Sequence, residues 1–228
     1  MDDRGQSAFA KLPRFAARLY GALTQAGPIL AQQCQIADDL VSKIEGGTIL
    51  DVGTGPGRLL EELYRRNRGF QLYGLDISFS MVDLARRRLS GLGIAVRQGG
   101  IEHAPFSDDS FDLVTCTGSF YLWNAPRECL EEIFRILKPG RSAYLYETCR
   151  DCDLDAVREA LRVNLRDENL LCRRIAPFLF QKQLKMTYRT DEIAAIVAET
   201  RFSERYTMKR ISLVNMPAWV RVTLSKPA

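Results

Sequence analysis

Apolar positions follow two different spacings along the chain, and the change falls near residue 47. Ala8 to Leu23 and Leu30 to Ile44 are amphipathic at helical period; in the second, Ile36, Leu40 and Ile44 share one face. Gly27-Pro28 between them predicts a turn. From Thr48 onward, short apolar runs alternate with helical patterns. Residues 48–52 read as a strand, 53–57 as a glycine loop, and 58–67 as a helix with Leu59, Leu60 and Leu63 inward. A strand over 70–75 precedes a helix over 78–89 with Ser78 as its N-cap. Strands are predicted over 93–98 and 111–117. A helix over 126–137, closed by Lys138-Pro139-Gly140, leads into a strand over 142–147.

Residues 153–180 read as a helical insertion. A helix over 189–199, capped by Thr190, follows. Two strands without an intervening helix, 202–212 and 218–224, then predict an antiparallel hairpin at a sheet edge. Alternating strands and helices argue for a parallel sheet covered on both faces. No Pro-, Gly- or Ser-rich linker divides the chain. One domain over 1–228 is therefore expected, with cap helices over 1–45, a core over 48–147, an insertion or lid over 150–185, and a last helix with closing strands over 189–228.

Composition narrows the class. Hydrophobic residues at 46% and charged residues at 26% exclude a disordered or coiled-coil chain. The longest apolar run, Leu113 to Pro126, is too short to span a bilayer and contains Thr, Ser and Asn. The first residues, with Asp2 and Asp3, show no basic region followed by an apolar stretch, so no secretory signal is expected. The six cysteines are not crowded as in a small secreted scaffold, which favours a cytoplasmic protein with free thiols. Cys34, Cys116 and Cys129 fall on apolar faces and read as core. With His103 as the only histidine, a multi-histidine metal site is impossible, and no metal is expected.

The net charge of +4 is unevenly spread. Residues 1–149 hold 17 basic and 18 acidic side chains, and residues 150–228 hold 15 and 10. The surplus is either a set of solvated helix faces or an attraction for an anionic acceptor or partner.

The sharpest local signal is Ile49-Leu-Asp-Val-Gly-Thr-Gly-Pro-Gly57. Gly53, Gly55 and Gly57 follow a strand and open a helix, which permits a tight turn and close approach of a ligand to the backbone. The last two glycines are two apart, whereas the dinucleotide fingerprint places them three apart. Asp51 sits in the strand end, where a buried carboxylate can hold loop amides or water, and through them a ligand's ammonium. Asp76 ends the next strand, 19 residues beyond Gly57, where α/β nucleotide sites place an acid that accepts ribose hydroxyls.

In these residues the chain resembles the class I S-adenosylmethionine-dependent methyltransferases. Gly99-Gly-Ile-Glu-His-Ala-Pro-Phe106, Asp108-Asp-Ser-Phe-Asp-Leu-Val114 and Arg135-Ile-Leu-Lys-Pro-Gly140 are similar to further landmarks of that family. The texture is closest to the group related to ubiquinone and menaquinone C-methyltransferases, whose substrates are diverse. The resemblance implies a Rossmann-like seven-stranded sheet of order 3-2-1-4-5-7-6 with an antiparallel last strand and a helical cap. It implies S-adenosylmethionine as cofactor and S-adenosylhomocysteine as product. Gly53, Gly55 and Gly57 would face the methionine part and Asp76 the ribose. Ile77 and Met81 would flank the adenine, with Ile101 and Glu102 on its far side. Thr117 would offer its carbonyl to the ammonium. Relatives usually carry an aspartate at the position of Gly100 for the adenine amino group; here that group must find water, a carbonyl or Glu102.

The resemblance implies direct in-line methyl transfer to a small-molecule acceptor, with placement of the nucleophile supplying much of the rate. The Asp/Asn-Pro-Pro-Tyr motif used on nucleic-acid bases is absent after the fourth strand. Phe120, Tyr121 and Trp123 either wall an acceptor pocket or pack the following helix. Tyr121, Tyr20 and His103 are the candidate catalytic residues. Cys149-Arg-Asp-Cys152 with Cys172 reads as ordinary thiols or as a soft metalloid site. Arg150, Arg173 and Arg174 either bind an acidic acceptor or lie on a solvated face. A nucleic-acid or protein methyltransferase and a non-catalytic cofactor-binding module are the rival readings. No membrane association is expected, and the state is a monomer or a homodimer.

Overall fold

The computed structural model describes residues 27–228. The amphipathic segment 8–23, with Tyr20, lies outside them. The first described helix, α1 (Gly27–Val41), leads to strand β1 (Thr48–Val52), α2 (Arg58–Arg66), β2 (Gln71–Asp76), α3 (Phe79–Arg88) and β3 (Ala95–Gln98). Then come β4 (Phe111–Thr117), α4 (Pro126–Ile136), β5 (Leu137–Thr148), α5 (Leu154–Asn164), α6 (Leu170–Met186), α7 (Thr190–Ala198), β6 (Tyr206–Leu213) and β7 (Met216–Ser225).

The seven strands form one sheet in the order β3-β2-β1-β4-β5-β7-β6. β1 through β5 pair in parallel, and β7 runs antiparallel to both β5 and β6. This is the Rossmann-like methyltransferase sheet expected from the sequence. Because strand side chains alternate between faces, β1 sends Leu50 and Val52 to one core and Ile49 to the other. The first core packs against Leu130 and Ile133 of α4 and Ile193 and Val197 of α7. The second takes Ile36 and Leu40 of α1, Leu60 and Leu63 of α2, and Val157 and Leu161 of α5. Parallel strands end together, so Val52, Asp76 and Thr117 meet along one edge.

Several boundaries differ from the sequence expectation, each for a local reason. Gly27-Pro28 is no turn but the first turn of α1, where proline's missing N–H is not needed. The Gly27 N–H donates to Glu168 Oε1 at 3.1 Å. Leu137 to Gly140 does not merely close α4; it belongs to β5, with Leu137 paired to Phe111 and the Gly140 N–H donating to the carbonyls of Lys226 and Pro227. Ser78 stands at the N-cap of α3, yet its buried hydroxyl has no partner and caps nothing. Thr190 is likewise not the cap of α7. Its hydroxyl donates to Asp151 at 2.6 Å, and the preceding Arg189 N–H is taken by Glu192 at 2.8 Å. The insertion divides at 165–169. Asp153 caps α5 by accepting from the amides of Asp155 and Ala156, and Asn169 caps α6. α6 continues through Pro177 to Met186, beyond the predicted end at 180. Residues 202–205 are a turn rather than strand, with Phe202 buried against Phe134 at a ring separation of 5.1 Å.

α1 is fastened to the sheet by Asp39. It accepts from the Tyr146 hydroxyl and from Arg221, both at 2.6 Å, while Lys43 lies 3.1 Å away. These contacts hold the Asp39 carboxyl below the usual carboxylate range against the cost of partial burial. Tyr146 and Arg221 face each other across β5 and β7, so one carboxylate joins a helix to two strands. Tyr146→Phe should therefore lower the unfolding free energy by about 1–2 kcal/mol, read from denaturant titration with unchanged m-value.

Candidate functional site

The loop after β1 is pinned to β2 by three backbone donors. The amides of Gly53 and Thr54 donate to the Leu75 carbonyl at 2.8 and 3.1 Å. The Gly55 amide donates to Asp76 Oδ2 at 2.7 Å. The glycines serve different ends. Gly53 has a φ of +69°, and a Cβ there would lie 2.2 Å from Ser119 Oγ. Gly57 has a φ of +78°, and a Cβ there would press on Leu89 Cδ1 at 2.9 Å, so this glycine lets α2 pack on α3. A Cβ at Gly55 would meet nothing within 4 Å; its backbone faces open space, as a ligand cradle requires.

Three carboxyl groups sit at the edge where the parallel strands end. Asp76 accepts the Gly55 amide on Oδ2 and the Ser78 amide on Oδ1, the latter at 2.8 Å. Burial nevertheless raises its pKa above the ordinary aspartate value. Asp51 is buried and accepts from the Thr54 hydroxyl at 2.8 Å. Burial, with a smaller contribution from the Asp76 charge, pushes it up to about 7. Glu147, at the end of β5, accepts the amides of Ser119 and Phe120 at 2.9 and 2.8 Å and the Cys116 thiol at 3.7 Å. Burial pushes it up to about 8. Glu147 thus holds the turn after β4 in place, while Ser119 Oγ reaches back to the Val52 carbonyl at 3.3 Å.

Two cavities lie along this edge. The larger, about 440 Å³, is bordered by Asp76, Ile77, Met81, Gly100, Ile101 and Tyr121. The smaller, about 300 Å³, is bordered by Asp51, Arg58, Leu161, Leu165, Phe180 and Trp219. They share a wall formed by Gly53, Gly55, Thr117, Gly118, Leu179 and Gln183.

Most of the residues expected at the site come together here. Asp76, Ile77, Met81 and Ile101 border the larger cavity, Asp51 the smaller, and Gly53, Gly55 and Thr117 both. Gly57 and His103 border neither; Gly57 is taken up by helix packing and His103 is exposed. Glu102 also stands outside both linings, but its carboxylate folds over Gly100, 2.4 Å from where a Cβ at that position would be. Glu102 Oε2 is buried there without a hydrogen-bond partner. The absent side chain at 100 and the folded one at 102 occupy the same space.

The aromatic segment divides. Tyr121 and Trp123 border the larger cavity, while Phe120 is buried against Trp123 and Tyr188 at ring separations of 5.0 and 5.4 Å. None of the three reaches the smaller cavity. Arg150 is drawn to Glu192 and to the Thr187 carbonyl, and Arg173 and Arg174 are exposed. Cys116, Cys129 and Cys149 are buried, whereas Cys34, Cys152 and Cys172 are half-buried. Among the described residues, no group of three or more His, Cys, Asp or Glu is arranged to hold a metal ion, and no helix is long and apolar enough to cross a membrane. Sequence reasoning missed Arg58, Ser119, Glu147, Leu179 and Gln183. Glu147 had a signal: an acid ending an otherwise apolar strand beside the aromatic segment.

A largely parallel sheet with a glycine loop after its first strand and an acid closing its second has the form of an α/β nucleotide-binding domain. The family model described as "Methyltransferase domain" matches residues 50–145. The methyltransferase YdaC of Bacillus subtilis, itself uncharacterized, is 34% identical over 108 residues, which are 47% of this chain and 60% of that protein. The ubiquinone/menaquinone biosynthesis C-methyltransferase UbiE of Geobacter sulfurreducens is 36% identical over 108 residues, 45% of this chain and 42% of that one. The plantazolicin methyltransferase BpumL, solved in complex with a triazolic desmethylPZN analog and SAH, superposes with a TM-score of 0.73 at 14% identity, covering 99% of this chain and 95% of that one. Residues 50–145 thus match a methyltransferase domain, and the sheet around them has the fold of class I S-adenosylmethionine-dependent methyltransferases. It spans about half the length of the curated relatives it matches.

The buried acids generate a pH signature. Asp51 and Glu147 keep their protons in the folded state up to about 7 and about 8, well above where they lose them when unfolded. The folded state therefore binds more protons through this window, and stability falls as pH rises from about 4 to 8. Denaturant titrations across that range should show the decline. Asp51→Asn should flatten its lower part and Glu147→Gln its upper part; an unchanged profile in both variants would contradict the assignment.

Proposed function

We propose that this chain binds S-adenosylmethionine in the larger cavity and passes its methyl group to a small-molecule acceptor held in the smaller one. The observation that carries this reading is the shared wall. Two cavities of different chemistry meet at Gly53, Gly55, Thr117 and Gly118, with Leu179 and Gln183 of α6 closing over both. A donor and an acceptor seated on the two sides would have their reacting atoms at that wall.

The residues present fit the cofactor. Each Asp76 oxygen is engaged by a single amide and retains a lone pair for a ribose hydroxyl. Ile77, Met81 and Ile101 provide apolar surface for a flat base. Behind Gly100, the unpartnered Glu102 Oε2 offers an acceptor for an exocyclic amino group. Thr117 Oγ1 is buried and unpartnered at the wall itself. The amino-acid end of the cofactor carries one ammonium and one carboxylate, and Asp51 and Arg58 supply the opposite charges beside the wall. Arg58 Nε is also without a partner.

When bound, S-adenosylmethionine supplies a methyl group already activated on a positively charged sulfur. The chain's own contribution is then placement and exclusion of water. Loop 53–57, pinned to β2, fixes the donor; α6 covers the junction. A base is needed only if the acceptor must lose a proton. Of the three candidate catalytic residues, Tyr121 reaches the cavity lining, His103 does not, and Tyr20 lies outside the described residues.

Calorimetric titration with S-adenosylmethionine should show saturable binding, and its absence would remove this reading. Asp76→Ala should weaken binding by at least about tenfold, the loss of a hydrogen-bonded carboxylate; unaltered affinity would contradict the ribose role.

Glu102 gives a separate test. Gly100→Ala forces only the tip of a flexible side chain aside, so it should leave stability nearly unchanged while turning the carboxylate away. Gly100→Ala and Glu102→Gln should each weaken cofactor binding by about three- to tenfold, and the double variant no further, because both remove one contact. Additive losses in the calorimetric constants would show that Gly100 and Glu102 act separately.

A further inference from the structure

The smaller cavity has a polar corner that the cofactor reading leaves unused. Thr148 and Trp219 are directly opposed across the β5–β7 pairing, so their side chains share one face of the sheet. Both border the smaller cavity. Thr148 Oγ1 and Trp219 Nε1 are both buried, and neither has a hydrogen-bond partner. Two buried polar atoms without partners, on residues paired across the strands, are costly, and a ligand that satisfied both would recover that cost.

The rest of the lining defines what such a ligand is. Once Asp51 and Arg58 are assigned to the amino-acid end of the cofactor, no charged side chain remains among the described residues of this cavity. What remains is apolar surface from α5, α6 and β7, notably Leu161, Leu165, Phe180 and Met216, interspersed with the neutral amides of Gln32, Gln33 and Asn164. None of the basic residues of 150–228 borders it. At about 300 Å³ it stands at the small end of ligand pockets. An anion buried here would lose its hydration without gaining a countercharge.

We propose that the acceptor is a small, uncharged, largely apolar molecule, anchored by a hydroxyl or carbonyl oxygen that accepts from Trp219 Nε1–H and meets the Thr148 hydroxyl. A hydroxyl satisfies both groups at once, because its oxygen accepts from the indole while its proton goes to Thr148 Oγ1. This rests on the methyltransferase reading above, and it replaces an anionic acceptor with a neutral one.

The test uses the full chain saturated with S-adenosylhomocysteine and two probes of matched shape, 4-butylphenol and 4-butylbenzoate, titrated calorimetrically at pH 7. The phenol should bind saturably and at least about tenfold more tightly than the benzoate. Trp219→Phe keeps most of the ring and removes the donor; it should weaken phenol binding by about three- to tenfold. Thr148→Val should do the same, and it carries the test if the tryptophan variant does not fold. In both variants the affinity for S-adenosylhomocysteine should be that of the unaltered chain. Benzoate binding equal to or tighter than phenol, or phenol affinity unchanged in both variants, would overturn the proposal while leaving the methyltransferase reading intact. Failure of the unaltered chain to bind S-adenosylhomocysteine would instead remove that underlying reading.

Discussion

The bond from the Gly55 amide to Asp76 Oδ2, 2.7 Å long, is the contact on which the rest of the site depends. It joins the loop after β1 to the end of β2, and two amides donating to the Leu75 carbonyl reinforce it. Without it the loop would have no fixed height above the sheet edge, and the wall between the cavities would have no fixed position. The price is a carboxylate nine-tenths removed from water with its pKa raised. Such a group is tolerated because amides engage both of its oxygens, leaving neither orphaned.

The same logic extends outward. Asp51 and Glu147 are buried at the ends of β1 and β5, on either side of β4, each held by short hydrogen bonds and each with a raised pKa. Acids raised in this way favour a nearby positive charge, because a cation stabilises the ionised form that burial opposes. The strand-end edge beside Asp51 therefore favours a cationic group, and an ammonium fits that field better than the anionic phosphate of a nucleotide would. Glu147 acts through the turn it holds, since its partners are the amides of Ser119 and Phe120.

Legibility in the sequence followed the range of the forces involved. The strands and helices, the hairpin of β6 and β7, and the spacing of loop 53–57 to Asp76 were readable because they depend on periodicity and on short spacings along one segment, whereas the sheet order followed only from the resemblance to the methyltransferases. Thr190 was misread as a cap because a distant partner, Asp151, takes its hydroxyl, whereas Ser78 holds the N-cap position with its hydroxyl unpartnered. Gly57 stands against Leu89 outside both cavity linings, because glycine serves helix packing as readily as ligand approach, and sequence does not separate the two. Gly100 looked like a missing contact; the structure instead shows Glu102 folded into that space. Arg58, Leu179 and Gln183 could not be placed from sequence, since each reaches the site only through the way α2 and α6 pack.

The charge surplus of the last third is placed by the fold mostly away from the two cavities. Those residues carry five more basic than acidic side chains, a balance that points toward an anionic acceptor. In the fold, these cations are drawn to carboxylates that tie elements together: Arg221 to Asp39, Arg210 to Asp151, Arg201 to Glu131 and Lys226 to Asp109. Three of these acids lie in the earlier, slightly acidic part of the chain, so the surplus at one end balances the deficit at the other across the sheet. Arg173 and Arg174 are exposed on α6. Of the basic residues of 150–228, Lys182 alone borders either of these two cavities, and it is the larger one. Charge counted along a chain bears on substrate only when the fold gathers it around a cavity, and the smaller cavity is lined mainly by apolar side chains, with Thr148 and Trp219 at one corner.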